Sequence, residues 1–204
     1  MACACTAVPS GIGGRPMVRE AANHRSVFTI SARMGDVDTG PVETLPRPDG
    51  IRIAPLTRAH AEDIATWRYD PPYDVYDMVG ADPDDLLAPE AGFHAVLAGD
   101  RLIGFRSFGP DGQVPGWDYD DSALDTGGGL RPSLTGHGLG RSVIGCGLEF
   151  GRARLAPAAF RVTVAAFNER ALRTVESLGF ERVGTFPAVR DGRPFVVLVR
   201  PELA

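Results

Sequence analysis

The chain has 204 residues and a mass of 21.7 kDa, enough for one domain with a real core or for one domain and a tail. Hydrophobic residues make up 44% and charged residues 23%, a globular balance that excludes collagenous, fibrous and wholly disordered classes. All 21 residues in the Lys+Arg count are arginine, so a phosphate-loop lysine, a Schiff-base lysine and a lysine general base are excluded before any motif is sought.

The formal net charge of -5 is the opposite of what a phosphate-tracking surface needs, so nucleic acid is not an expected partner. The cysteines are three, Cys3, Cys5 and Cys146, without paired zinc spacing; no metal site is expected and a reducing compartment fits. No apolar run reaches the roughly 18 residues of a membrane span, and no basic region precedes an apolar core at the N-terminus. The expectation is a cytoplasmic protein that makes no membrane contact.

Residues 1–48 lack periodicity and are rich in Gly, Pro, Ala and Thr, so they are expected to form a disordered tail, with the folded domain in residues 49–204. Ile51 to Leu56 alternates as a strand, Thr57 is placed as a helix cap, and Arg58 to Tyr69 is expected to be a helix stopped by Pro71 and Pro72. An acidic, proline-broken segment comes next, with a short helix near Asp84 to Leu87. Phe93 to Ala98 and Leu102 to Phe108 then read as strands joined by a Gly99-Asp100 turn. A fourth strand is expected near Ala123 to Leu130, and a helix from Gly138 whose stripe is Leu139, Val143, Cys146 and Phe150. Phe160 to Phe167 alternates as the fifth strand. Asn168 is placed to cap a helix with apolar Ala171, Leu172, Val175 and Leu178, closed by Gly179. Arg182 to Val189 and Phe195 to Arg200 finish the chain around Asp191-Gly192. The expected fold class is α/β: one mixed sheet with helices packed on it.

The most informative stretch is Leu130 to Arg141, where Gly136, Gly138 and Gly140 lie between a strand and the first turn of a helix. Backbone N–H groups there can approach an anion without Cβ interference, and the helix dipole adds positive potential. The dinucleotide fingerprint fails because Arg141 stands where its third glycine belongs, and the phosphate loop fails for want of lysine. With Asn168-Glu169-Arg170-Ala171 through Leu178-Gly179-Phe180, the arrangement resembles the GNAT superfamily of acyl-CoA N-acyltransferases, and among them the branch that acetylates protein N-termini and ribosomal proteins. That family's signature is Arg/Gln-x-x-Gly-x-Gly/Ala; the matching residues here are Thr135, Gly138 and Gly140, so Thr135 departs from the pattern.

The resemblance implies acetyl-CoA as cosubstrate, no metal, and direct transfer in a ternary complex to an amine of a small molecule or a protein N-terminus; a homodimer is allowed for. It implies that strands four and five splay, and that pantetheine lies beside Gly128, Gly129 and Leu130 with its diphosphate on the backbone of Gly136, His137, Gly138, Leu139, Gly140 and Arg141. Gly127-Gly128-Gly129 fits a strand that another backbone approaches closely. Asn168 is then either a cofactor contact or simply a helix cap. Asp125 is the expected general base, with pairing to an arginine as the bland alternative. The family's general-acid tyrosine on the last helix is replaced by Val175, which makes a non-catalytic acyl-CoA-binding module the competing reading. Trp67, Tyr69, Tyr73 and Tyr76, with Asp70, Asp74, Asp77, Asp118, Asp120 and Asp121, either pack short helices onto the sheet or form an aromatic, acidic mouth for a cationic amine.

Overall fold

The computed structural model describes residue 45 and residues 50–202. The expected tail therefore lies outside the described residues apart from Leu45, as do Cys3 and Cys5.

The strands are β1 (Ile51–Pro55), β2 (His94–Ala98), β3 (Arg101–Phe108), β4 (Leu124–Leu130), β5 (Ala159–Ala165), β6 (Glu181–Pro187) and β7 (Pro194–Pro201). The helices are α1 (Arg58–Ile64), α2 (Pro83–Leu87), α3 (Gly140–Leu155) and α4 (Glu169–Glu176), in the chain order expected from the periodicity. The strands form one sheet in the order β1-β2-β3-β4-β5-β7-β6, with β4 and β5 parallel and the other neighbours antiparallel. A parallel pair needs a crossover, and α3 supplies it.

Alternation sorts the two layers of core. In β2, Val96 faces a cluster with Leu139, just ahead of α3, and Val143 of α3, whereas Ala95 and Leu97 join Ile64, Leu86 and Phe105 beneath α1 and α2. On the α3 side, Ile144 and Leu148 meet Leu172 and Val175 of α4 over Phe160, Val162 and Val164. Cys146 is filler in this layer: it is half-buried, its Sγ donates to the Ile51 carbonyl at 3.5 Å, and burial pushes its thiol above the ordinary value.

Local signals set most boundaries. Thr57 and His60 form a reciprocal capping box that opens α1. Gly179 lies just past α4 with φ +86°, the left-handed position expected of it. The first helix is shorter than expected, ending at Ile64 rather than Tyr69. Thr66 turns both its N–H and its hydroxyl onto the Asp63 carbonyl, and the Tyr69 N–H leaves for Asp77 Oδ1 at 2.7 Å. From Tyr69 the chain runs as a strap through a 3-10 turn, Tyr73–Tyr76, to Asp77.

Candidate active site

β4 and β5 pair over only two positions, Leu124 with Phe160 and Asp125 with Arg161. Beyond them β4 stays in register with β3 from Thr126 to Leu130, and β5 stays with β7 as far as Ala165. The sheet therefore splits between Thr126–Leu130 and Val162–Ala165.

A narrow crevice enters this split from the α3 side, lined by Arg106, Gly128, Gly129, Leu130, Val143 and Ala171 among others. It shares Leu130 and Gly140 with an open groove of about 320 Å³ that runs over the N-terminus of α3, past Gly136, Gly138 and Arg141, to Arg170 and Arg173 of α4. Crevice and groove adjoin: a slender limb inside the sheet, apolar apart from Arg106, and a cationic limb on the surface.

Glycine is required in the slender limb by the sheet itself. Gly128 has φ +148°, and a Cβ there would stand 2.3 Å from the Phe105 carbonyl oxygen. Gly138, with φ +78°, has nothing within 4 Å of its Cβ position, so a side chain there would project into the groove. The diphosphate of a coenzyme A would suit the cationic limb, where amides at the α3 N-terminus meet three guanidinium groups. Its thin pantetheine arm would suit a strand edge that carries no side chains from Gly127 to Gly129.

Of the expected binding residues, Gly128, Gly129, Leu130, Gly136, Gly138, Leu139, Gly140 and Arg141 line one or both limbs. His137 is exposed beside them, and Thr135 turns its hydroxyl back onto the Pro132 carbonyl at 2.9 Å. Asn168 is fully buried: its Oδ1 accepts from the Ala171 N–H at 3.2 Å as a helix cap, and its Nδ2 donates to the Tyr76 hydroxyl at 3.3 Å.

Asp125, the candidate base, is paired with an arginine. It is 4% exposed; Arg161 Nε reaches Oδ1 at 2.7 Å, while Arg161 Nη2 and Gln113 Nε2 reach Oδ2 at 2.9 and 2.8 Å. The hydrogen bond from Arg161 to Asp125 is the chief cause holding that guanidinium above its ordinary pKa. Asp120 accepts from Arg161 Nη1 at 2.9 Å, and Tyr119 lies under the guanidinium, its hydroxyl raised in pKa by burial. This cluster borders a separate hollow, away from Gly128 and Leu130.

Asp77 accepts the Tyr69 N–H, and Asp120 serves Arg161 and Ser122, which leaves Asp70 and Asp74 exposed on the strap and Asp118 and Asp121 exposed ahead of β4. The strap itself bridges the split. Tyr69 donates to the Leu130 carbonyl at 2.9 Å on the β4 rim, and Tyr76 accepts from Asn168 just beyond the β5 rim. Both tyrosines are buried, and the rings of Tyr76 and Tyr73 each lie tilted against Phe167.

Sequence reasoning missed the contribution of α4. Arg170, Arg173, Thr174 and Ser177 recur at helical spacing opposite the apolar stripe, and all four line the groove. Their polar face at that spacing is the signal that could have found them, given a groove beside α4.

Comparisons with known proteins agree with this geometry. The acetyltransferase (GNAT) family model matches residues 57–180. No curated protein matches the chain significantly. Among solved structures, the aminoglycoside acetyltransferase AAC(6')-Ib in complex with ribostamycin and coenzyme A is 20% identical, covering 76% of this chain and 94% of its own, with a TM-score of 0.59. A chimeric spermidine N-acetyltransferase SpeG from Vibrio cholerae and hSSAT is 16% identical, covering 74% and 95%, with a TM-score of 0.60. The putative acetyltransferase yncA from Salmonella typhimurium with its cofactor acetyl-CoA is 19% identical, covering 74% and 94%, at 0.54. These likenesses are of fold. The family match spans more than half of the chain, and with it the chain belongs to the GNAT acetyltransferase family.

Proposed function

We propose that the chain moves the acetyl group of acetyl-CoA directly to a primary amine of a small, multiply cationic acceptor. The single observation that carries this reading is the parting of β4 and β5 after Asp125, continuous with the arginine-lined groove at the start of α3. The groove can hold a diphosphate, and the split can pass a thioester through the sheet to the strap side, where an amine would meet it. Asp70 and Asp74, exposed on that strap, supply negative potential that draws a cation. The solved structures of similar fold include enzymes whose acceptors are aminoglycosides and spermidine, both polyamines, which supports this class over a protein N-terminus.

Backbone N–H groups around Leu130 are the candidate donors for the oxyanion of the tetrahedral intermediate. Tyr76 is the candidate proton donor to the departing thiolate, in the role that Val175 leaves empty on α4. The hydrogen bond it accepts from Asn168 stabilises the phenolate that proton donation would create. Asp125 acts in this reading as a tie that fixes where the strands part.

The test incubates the protein with acetyl-CoA and, separately, spermidine, an aminoglycoside and a short peptide whose only amine is its N-terminus, tracking thiol release. Turnover of the polyamines and not of the peptide is expected. Turnover of the peptide alone would reverse the acceptor class, and coenzyme A binding without turnover on any amine would make the protein a binding module.

A further inference from the structure

Three guanidinium groups line the cationic groove, and they are not equivalent. Arg141 Nη1 donates to the Ser177 carbonyl and hydroxyl, each at 2.7 Å, and Arg173 Nη1 is paired with Glu169 at 3.0 Å. Arg170 is held by neutral groups instead. Its Nε donates to the Tyr73 hydroxyl at 3.1 Å, and its guanidinium carbon lies 4.5 Å from the centre of the Tyr73 ring. Among the described residues no carboxylate pairs with Arg170. The same guanidinium overhangs the glycine loop, with Nη1 3.6 Å from where a Cβ of Gly136 would be. Meanwhile Thr135, at the position where the loop signature would carry a long polar side chain, spends its hydroxyl on Pro132.

We propose that Arg170 is the side chain that grips the diphosphate of the acyl-CoA, from α4 rather than from the loop, and that it joins this site to the acceptor-side strap through Tyr73. The proposal rests on the acetyl-CoA reading and adds to it a binding residue and a coupling. A planar guanidinium can lie on an aromatic face and still offer its edge N–H groups to phosphate oxygens, so both contacts can exist together. Its position is set by Tyr73, and Tyr73 belongs to the strap whose Tyr69 and Tyr76 reach the two rims of the split. Fixing Arg170 on an anion therefore fixes Tyr73, and by linkage an ordered strap favours anion binding in the same measure.

The test is isothermal titration of the full chain with coenzyme A and with pantetheine, which shares the thiol arm and lacks the diphosphate, alongside hydrogen exchange of the strap amides. Arg170→Met keeps much of the aliphatic stem and removes the charge. It should weaken coenzyme A by about 10- to 100-fold, the loss of a charge-assisted hydrogen-bonded contact, and leave pantetheine unchanged. Arg170→Lys should fall between. In the wild type, coenzyme A should slow exchange across residues 69–77; in Tyr73→Leu coenzyme A should still bind but no longer protect the strap. If the wild type binds coenzyme A and Arg170→Met binds it equally well, or loses coenzyme A and pantetheine alike, Arg170 is not the diphosphate contact. If Tyr73→Leu keeps the protection, the coupling is wrong. A wild type that binds no coenzyme A would overturn the underlying reading instead.

Discussion

Asp125 and Arg161 face each other across the last rung on which β4 and β5 are paired, each buried and joined by two hydrogen bonds. One residue later the strands separate. The pair closes the sheet at the point where a longer ladder would seal the split, and burial sets its energetics. Removing one partner of a buried ion pair strands the other charge at a cost of about 3–5 kcal/mol, whereas replacing both by apolar residues is often nearly neutral. Asp125→Asn is therefore expected to lower the thermal midpoint strongly, and Asp125→Leu combined with Arg161→Met to recover most of the loss. A variant Asp125→Asn that melts like the wild type yet loses about 100-fold or more in kcat would restore Asp125 as the base.

The strap hydroxyls differ in what they face. Tyr69 gives its proton to the Leu130 carbonyl, while Tyr76 accepts from the Asn168 amide. Tyr76→Phe is expected to lower kcat by roughly 10- to 100-fold, the low end of general acid catalysis because coenzyme A thiolate is a tolerable leaving group, with little change in coenzyme A affinity. An unchanged kcat in Tyr76→Phe would assign the residue to packing alone.

The parts of this site that were legible in the sequence are those built from neighbours in the chain. Gly136 to Arg141 at the head of α3, Asn168 capping α4 and Gly179 ending it all act within a few residues of themselves, so spacing reveals them. The splay of strands four and five was implied by family resemblance, and the pairing pattern bears it out. What stayed hidden depends on partners far apart in sequence: Asp125 with Arg161, Tyr76 with Asn168, Tyr73 with Arg170. No periodicity encodes such contacts. Asp125 read alone is a strand carboxylate near a reaction site, and only the sheet register supplies its arginine.

Two glycines separate a requirement of the fold from a requirement of the ligand. At Gly128 an added methyl would meet the Phe105 carbonyl oxygen at 2.3 Å, on a backbone with φ +148°, so Gly128→Ala is expected to unfold or severely destabilise the protein. At Gly138 the methyl meets nothing, and only the left-handed backbone opposes it, at about 1–2 kcal/mol. Gly138→Ala should therefore stay folded with a modest fall in thermal midpoint while its affinity for coenzyme A drops. Calorimetry of unfolding and of binding on the two variants reads both effects. A stable Gly128→Ala, or a Gly138→Ala with full affinity, would contradict this division.

Glu202 ties the chain end to the body of the domain. Arg152 of α3 donates from Nε to Oε2 at 2.5 Å, and Arg200 donates from Nε to Oε1 at 2.9 Å. Burial alone pushes the carboxyl up, but the hydrogen bonds from Arg152 and Arg200 outweigh it and hold its pKa below the usual glutamate value. A carboxylate whose folded pKa is depressed adds stability above its unfolded pKa and loses it as the pH falls through the folded one. Glu202→Gln should thus be less stable than the wild type at pH 7, and the gap should narrow below about pH 5 as the wild-type carboxylate takes up its proton. Urea midpoints for the two proteins between about pH 3 and pH 8 measure it. A gap that widens toward acid would mean that Glu202 is stabilised in its protonated form, opposite to the pairing with Arg152 and Arg200.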